Sequence, residues 1–114
     1  MIKIRRVYDA EGPDEGYRVL IDRLWPRGIS KEKAAWKEWM RDIAPSNELR
    51  KWYSHDPVKW DEFRKRYRAE LVPKQEELKK LRQLEIKHQT LTLLYSAKEK
   101  ELNNAVALRE FLME

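Results

Sequence analysis

The apolar positions of this chain fall into blocks of two kinds. Val19-Leu20-Ile21, inside the stretch Tyr17 to Asp22, and Leu91-Thr92-Leu93-Leu94, inside Thr90 to Tyr95, are short and nearly continuous. Runs of that sort predict strands covered on both faces. Ile2, Ile4 and Val7 predict a first strand, and the arginines Arg5 and Arg6 within it predict an edge or half-exposed place in the sheet. Elsewhere the apolar residues recur at helical spacing. Trp36, Trp39, Met40 and Ile43 follow the i, i+3, i+4, i+7 pattern after Ser30 as a cap and before Pro45 as a stop, which predicts a helix over 30–43.

Four more helices follow from the same signals. Ser46 caps a short one carrying Leu49, Trp52 and Tyr53. Asp56-Pro57 supplies the cap and first-turn proline of one with Trp60, Phe63, Tyr67 and Leu71 on one face. Pro73 pushes Val72 out of helical geometry, so a further helix with Leu78 and Leu81 restarts there, a kink being the alternative. Asn103 opens a closing helix with Ala105, Leu108 and Leu112, whereas Asp9 to Gly16, holding Gly12-Pro13-Asp14, is a turn-rich loop.

The order β-β-α-α-α-α-β-α predicts an α/β fold: a small, mostly parallel three-stranded sheet packed with about five helices, one compact domain over residues 1–114. The strands at 17–22 and 90–95 are expected to be parallel neighbours joined by a helical crossover, so their carboxyl ends open on one crevice. The order and direction of the first strand stay open.

Composition changes this picture in a few places. The formal charge of +5 would suit a polyanion, but Lys and Arg alternate with Glu and Asp almost everywhere, the pattern of a solvated surface. Cysteine is absent, which removes disulfides, thiolate metal sites and a cysteine nucleophile, and points to a cytoplasmic setting. No apolar run approaches the roughly 20 residues of a membrane span, and Met1 to Arg6 is too charged for a signal-peptide core, so no membrane partner is expected.

The chemistry-bearing residues are sparse. No glycine-rich phosphate loop occurs, and Ser30, Ser46, Ser54 and Ser96 lack the frame of a hydrolase elbow, so no nucleophile can be nominated. His55 and His88 stand apart without ligand spacing, and neither a metal nor a cofactor is expected; His55 reads as a loop residue. Trp36, Trp39 and Trp60 read as core residues, and no aromatic array for nucleic-acid bases is visible.

What remains is the crevice. The strand at 17–22 leads through Asp22, Arg23, Trp25, Arg27 and Gly28 toward Ser30, and the strand at 90–95 leads through Ser96 and Lys98 toward Asn103 and Asn104. Helix N-termini offer unpaired N–H groups and a positive dipole end, and arginine grips phosphate or carboxylate with two prongs. These nine residues are therefore the candidate binders of a small anionic ligand, with Asp22 expected to serve as ion-pair partner of the arginines. Trp25 could wall the pocket or plug the sheet's end.

The run Tyr17-Arg18-Val19-Leu20-Ile21-Asp22-Arg23-Leu24-Trp25-Pro26-Arg27-Gly28, with Ala44-Pro45-Ser46-Asn47-Glu48-Leu49-Arg50 and Thr92-Leu93-Leu94-Tyr95-Ser96-Ala97-Lys98, resembles the signature of the YeaO-like family of domains of unknown function. That resemblance implies a compact α/β fold in a bacterial or archaeal cytoplasm, and it brings no activity, substrate or cofactor. Where the family often reads Asn-His-Ala, this chain has Asn103-Asn104-Ala105; asparagine keeps a donor and an acceptor for binding. Binding of, or catalysis on, a small phosphate- or carboxylate-bearing ligand at the strand ends is the leading expectation. A nucleic-acid or protein-binding module on the basic helix faces around Arg64, Lys65, Arg66 and Arg68 is the other.

Overall fold

Four strands form one sheet in the computed structural model, which describes residues 1–114: β1 (Ile2–Arg6), β2 (Tyr17–Leu20), β3 (Glu38–Trp39) and β4 (Leu91–Tyr95). They lie in the order β1-β4-β2-β3, and every pairing is parallel. Four α-helices complete the fold: α1 (Asn47–Tyr53), α2 (Trp60–Leu71), α3 (Gln75–His88) and α4 (Asn104–Leu112). The expected parallel neighbours are β2 and β4, with Val19 opposite Leu93, and β1 is the expected edge strand.

The register sorts side chains onto two unlike faces. Ile4, Leu93 and Val19 share a row on one face, and there β2 and β4 meet Leu49, Phe63, Tyr67, Leu71, Leu78, Leu81 and Leu108 of the helices in a single apolar cluster. Tyr53 stacks on Phe63 at 4.4 Å between ring centres, which ties α1 to α2.

Arg5, Leu94, Leu20 and Trp39 form the next row, on the other face. Leu20 and Leu94 are fully buried yet lie outside the helix-facing cluster. Trp25 packs on Trp39 at 5.5 Å and on Trp36 at 5.0 Å, so tryptophans cover this side. Beyond them the row of Lys3, Thr92 and Arg18 is sealed by charge. Arg18 donates to Glu15 at 2.9 Å, to Glu11 at 3.0 Å and to the carbonyl of Ala35, and Arg5 pairs with the same Glu15. Thr92 Oγ1 donates to the Glu15 carbonyl at 2.6 Å. The Glu15 and Arg18 side chains are only 3% and 5% exposed, so losing either partner would leave an uncompensated buried charge.

Several sequence expectations change. The helix over 30–43 does not form: the segment holds a 3-10 turn at Lys31–Lys33, the strand β3 and a second 3-10 turn at Arg41–Ile43, and Ser30 makes no side-chain cap. The reason lies in β2, whose outer edge would otherwise be unpaired. Lys37 N donates to Arg18 O at 2.8 Å and Met40 N to Leu20 O at 2.9 Å, satisfying carbonyls that a helix could not reach. The sheet consequently has four strands in place of three, and the α-helices number four in place of about five. Finally, β2 stops at Leu20, before Asp22.

The other caps form where expected. Ser46 and Asn103 accept from Leu49 N and Val106 N, and Asp56 accepts from Val58 N to cap a 3-10 turn, Pro57–Lys59, that leads into α2. A break separates α2 from α3 around Pro73, but Val72 itself keeps helical angles, φ −52° and ψ −45°, contrary to the expectation, and the chain leaves helical geometry at Lys74. No helix is long and apolar enough to cross a membrane.

Gly16 is a backbone requirement. Its φ is +64°, and a Cβ there would sit 2.1 Å from the Thr90 carbonyl oxygen, which accepts a hydrogen bond from Tyr17 N at 3.0 Å where β2 starts beside β4. Gly16→Ala should therefore cost about 2 kcal/mol or more in urea-unfolding stability, against about 1 kcal/mol for Gly28→Asn, where the positive φ is strained for a side chain but the space is open.

Candidate functional site

The loops leaving β2 and β4 are stitched together by one carboxylate. Asp22 Oδ2 accepts from Ser96 N at 2.9 Å and from Ser96 Oγ at 2.6 Å, while Oδ1 accepts from Asn104 Nδ2 at 3.0 Å. Asn104 Nδ2 also lies 3.3 Å from the Ile21 carbonyl oxygen. Ser96 follows β4 and Asn104 opens α4, so Asp22, Ser96 and Asn104 hold three elements in one arrangement. Asn103, 2% exposed, caps α4 with its Oδ1 and donates from Nδ2 to Glu99 O at 2.9 Å, which sets the intervening loop.

Asp22 is thus occupied by neutral donors, and it is not the ion-pair partner of the arginines. Arg23 turns elsewhere: its Nε donates to Pro45 O and its Nη2 to Ala44 O, each at 3.0 Å. Tyr67 donates to Ile43 O at 2.7 Å, and Lys74 donates to Asp42 O. Four successive carbonyls, 42 to 45, are therefore satisfied by side chains from three places in the sequence, which is how an irregular, largely buried stretch is tolerated. Ser46, the next residue, donates from both N and Oγ to Glu70 at 2.8 and 2.6 Å. None of Tyr67, Glu70 and Lys74 carries a local sequence signal for this role.

The remaining candidates lie on the rim. Arg27 and Lys98 are exposed, and neither takes part in an ion pair. Their loops are linked through residues that the sequence did not single out. Arg6 donates to Ala97 O at 3.0 Å and lies 4.6 Å over the Tyr8 ring, and Tyr8 donates to Arg27 O at 2.8 Å. Gly28 has φ +79° and open space where a Cβ would be. Trp25 donates from Nε1 to Ile29 O at 2.5 Å and packs with Trp36 and Trp39. His55 is exposed at a positive-φ position, and His88 stacks on Tyr17 at 4.5 Å.

The grooves that stand out on the surface are lined by none of the nine candidate residues. One, of about 430 Å³, runs between α2 and α4 past Arg64, Arg68, Leu71 and Phe111, and a shallower one follows the charged side of α3. Along α2 the basic residues are largely paired: Arg64 with Asp61 and Glu110, Arg66 with Glu62, Arg68 with Glu114.

Burial pushes the Tyr67 hydroxyl well above the ordinary tyrosine range, with the Asp22 and Glu70 carboxylates adding to the shift and Arg23 opposing it. A raised folded-state value means that this contribution to stability is whole below the unfolded value of 10.0 and is lost as pH rises toward the folded one. Tyr67→Phe should cost about 1 kcal/mol near neutrality through the lost hydrogen bond, yet flatten the alkaline decline by about 1.4 kcal/mol per pH unit, read by urea unfolding at stepped pH. Asp22→Ala should cost about 1 to 3 kcal/mol at neutral pH by stranding the Ser96 and Asn104 donors, measured the same way.

Comparison with known proteins supplies the lineage. Residues 1–114 match the family described as "Inactive DUF488-N3 subclade". The chain is 47% identical over 111 residues to the Escherichia coli (strain K12) protein "Uncharacterized protein YeaO", covering 97% of this chain and 96% of that one. It is also 50% identical over 70 residues to "Uncharacterized protein Rv3073c" of Mycobacterium tuberculosis (strain ATCC 25618 / H37Rv), covering 61% of this chain and 59% of that one. No solved structure matches the chain. With the match running from the first residue to the last, this chain belongs to the inactive DUF488-N3 subclade, the family its YeaO-like sequence signature pointed to.

Proposed function

We propose that this protein is a binding domain for a small anionic ligand, phosphate- or carboxylate-bearing, held at the carboxyl ends of β2 and β4 without chemical conversion. The observation that carries the reading is the Asp22 carboxylate. Three neutral donors converge on it, so its part is to brace the loops around the rim. The description of the family as inactive supports binding without conversion.

Binding is supported by what the brace leaves free. Arg27 and Lys98 are unpaired cations on loops tied to one another through Tyr8 and Arg6. The open surface at Gly28 lets an anion approach the backbone, and the N-terminus of α4 contributes the positive end of its dipole. Open parallel sheets bind ligands at this end of their strands. The basic-face alternative is less supported, because α2 neutralises Arg64, Arg66 and Arg68 with its own and neighbouring acids.

Thermal melts of the full chain with inorganic phosphate or citrate provide the test. The melting temperature should rise with either anion, and Arg27→Ala with Lys98→Ala should weaken binding by about 1.5 to 3 kcal/mol per lost charged hydrogen bond while leaving the ligand-free melt unchanged. Equal anion responses in the wild type and the double variant would refute the site.

A further inference from the structure

The helical spacing of Trp36 and Trp39 predicts core residues, and neither belongs to the helix-facing cluster; Trp25, read as a loop residue, joins them. Trp25, Trp36 and Trp39 gather on the opposite side of the sheet, with Trp25 packed against each of the other two and all three partly exposed. The same segment carries cations without an ion-pair partner. Lys33 and Lys37, three residues and one residue from Trp36 in the chain, are exposed and make no ion pair, and the Arg41 guanidinium lies 5.1 Å over the Trp39 ring, likewise without one; the exposed acids of the segment are Glu32 and Asp42. This sets the patch apart from α2, where the arginines have acidic partners.

We propose that Trp25, Trp36 and Trp39, with Lys33, Lys37 and Arg41, form a surface for single-stranded nucleic acid. Bases stack on the partly exposed indoles, and the three cations follow the backbone phosphates. The polar handles of the rings favour this occupant over a peptide. Trp25 Nε1 donates to Ile29 O and Trp39 Nε1 to Asp22 O, so both indole N–H groups are consumed inside the protein. An acidic peptide would meet the cations, but it would have no donors from those two rings to fix its backbone. The surface shares Trp25 with the candidates at the strand ends, but Lys33, Trp36 and Lys37 have no part in that site.

Fluorescence anisotropy of a labelled oligothymidylate of about 15 nucleotides, titrated with the full chain, tests the proposal. Binding should occur at low salt, and the logarithm of affinity should fall with the logarithm of salt with a slope of about −2, as three neutralised phosphates require. Trp36→Ala should lower affinity about tenfold. Lys33→Ala with Lys37→Ala, which touches only exposed side chains, should reduce the slope by roughly 1 to 1.5 while leaving the thermal melt unchanged. Arg27→Ala with Lys98→Ala should retain binding of the oligonucleotide, so that failure here and failure of the strand-end site are told apart. No anisotropy change at low salt, equal affinity for a duplex of the same length, or unchanged binding by the lysine double variant would overturn it. Poly-glutamate binding as tightly as the oligonucleotide, with the same loss on Trp36→Ala, would overturn it in favour of an acidic protein partner.

Discussion

β4 is hydrogen-bonded along both edges and buried on both faces, and the rest of the molecule is arranged around that demand. Its five residues need parallel partners on either side, and the chain supplies them from β1 and β2, both more than seventy residues earlier in sequence. Parallel strands cannot be joined by a tight turn, so the intervening chain must travel back along the sheet, and α1 to α3 are that return path. The same requirement explains Gly16. The chain passes so close to Thr90 where β2 meets β4 that no side chain fits.

Parallel pairing also brings the exits of β1, β2 and β4 to one end, where polar side chains are divided between two jobs. Asp22, Arg23, Ser96 and Asn104 are used to brace loops and to satisfy backbone groups of irregular segments. Arg27 and Lys98, farther along the same loops, have no such obligation. The division follows from depth. Near the strand ends every carbonyl and carboxylate must find a partner within the protein, whereas a few residues outward water can serve.

The sheet's two faces are closed by different means, and this bears on where the surface is free to bind. Helices cover one face with an apolar layer. The other receives no α-helix in the stretch between β2 and α1, and it is closed by the Glu15–Arg18 network and by tryptophans too large to be hidden completely. A roof made of large aromatic rings leaves part of each residue outside, and the Arg41 guanidinium lies over one of them.

Much of this was legible in the residues. The continuous apolar runs of β2 and β4 announced buried parallel strands, the arginines of β1 announced an edge, and Ser46, Asp56, Pro73 and Asn103 marked helix ends through local chemistry. The convergence of the Asp22 and Ser96 loops followed from the topology alone. The segment 30–43 was misleading because Trp36, Trp39, Met40 and Ile43 satisfy helical spacing as well as any helix, while the demand they answer is set by the unpaired edge of β2. No local pattern encodes that demand. In the same way the sequence named Asp22 and Arg23 but paired them wrongly, since Ser96, Asn104 and the carbonyls of Ala44 and Pro45 compete for them only once the chain has folded. Periodicity and capping thus marked most of the elements, being properties of neighbouring residues, and failed over 30–43; which carboxylate, edge or ring meets which partner was decided by the tertiary structure, because hydrogen bonds and packing are settled by distance in space.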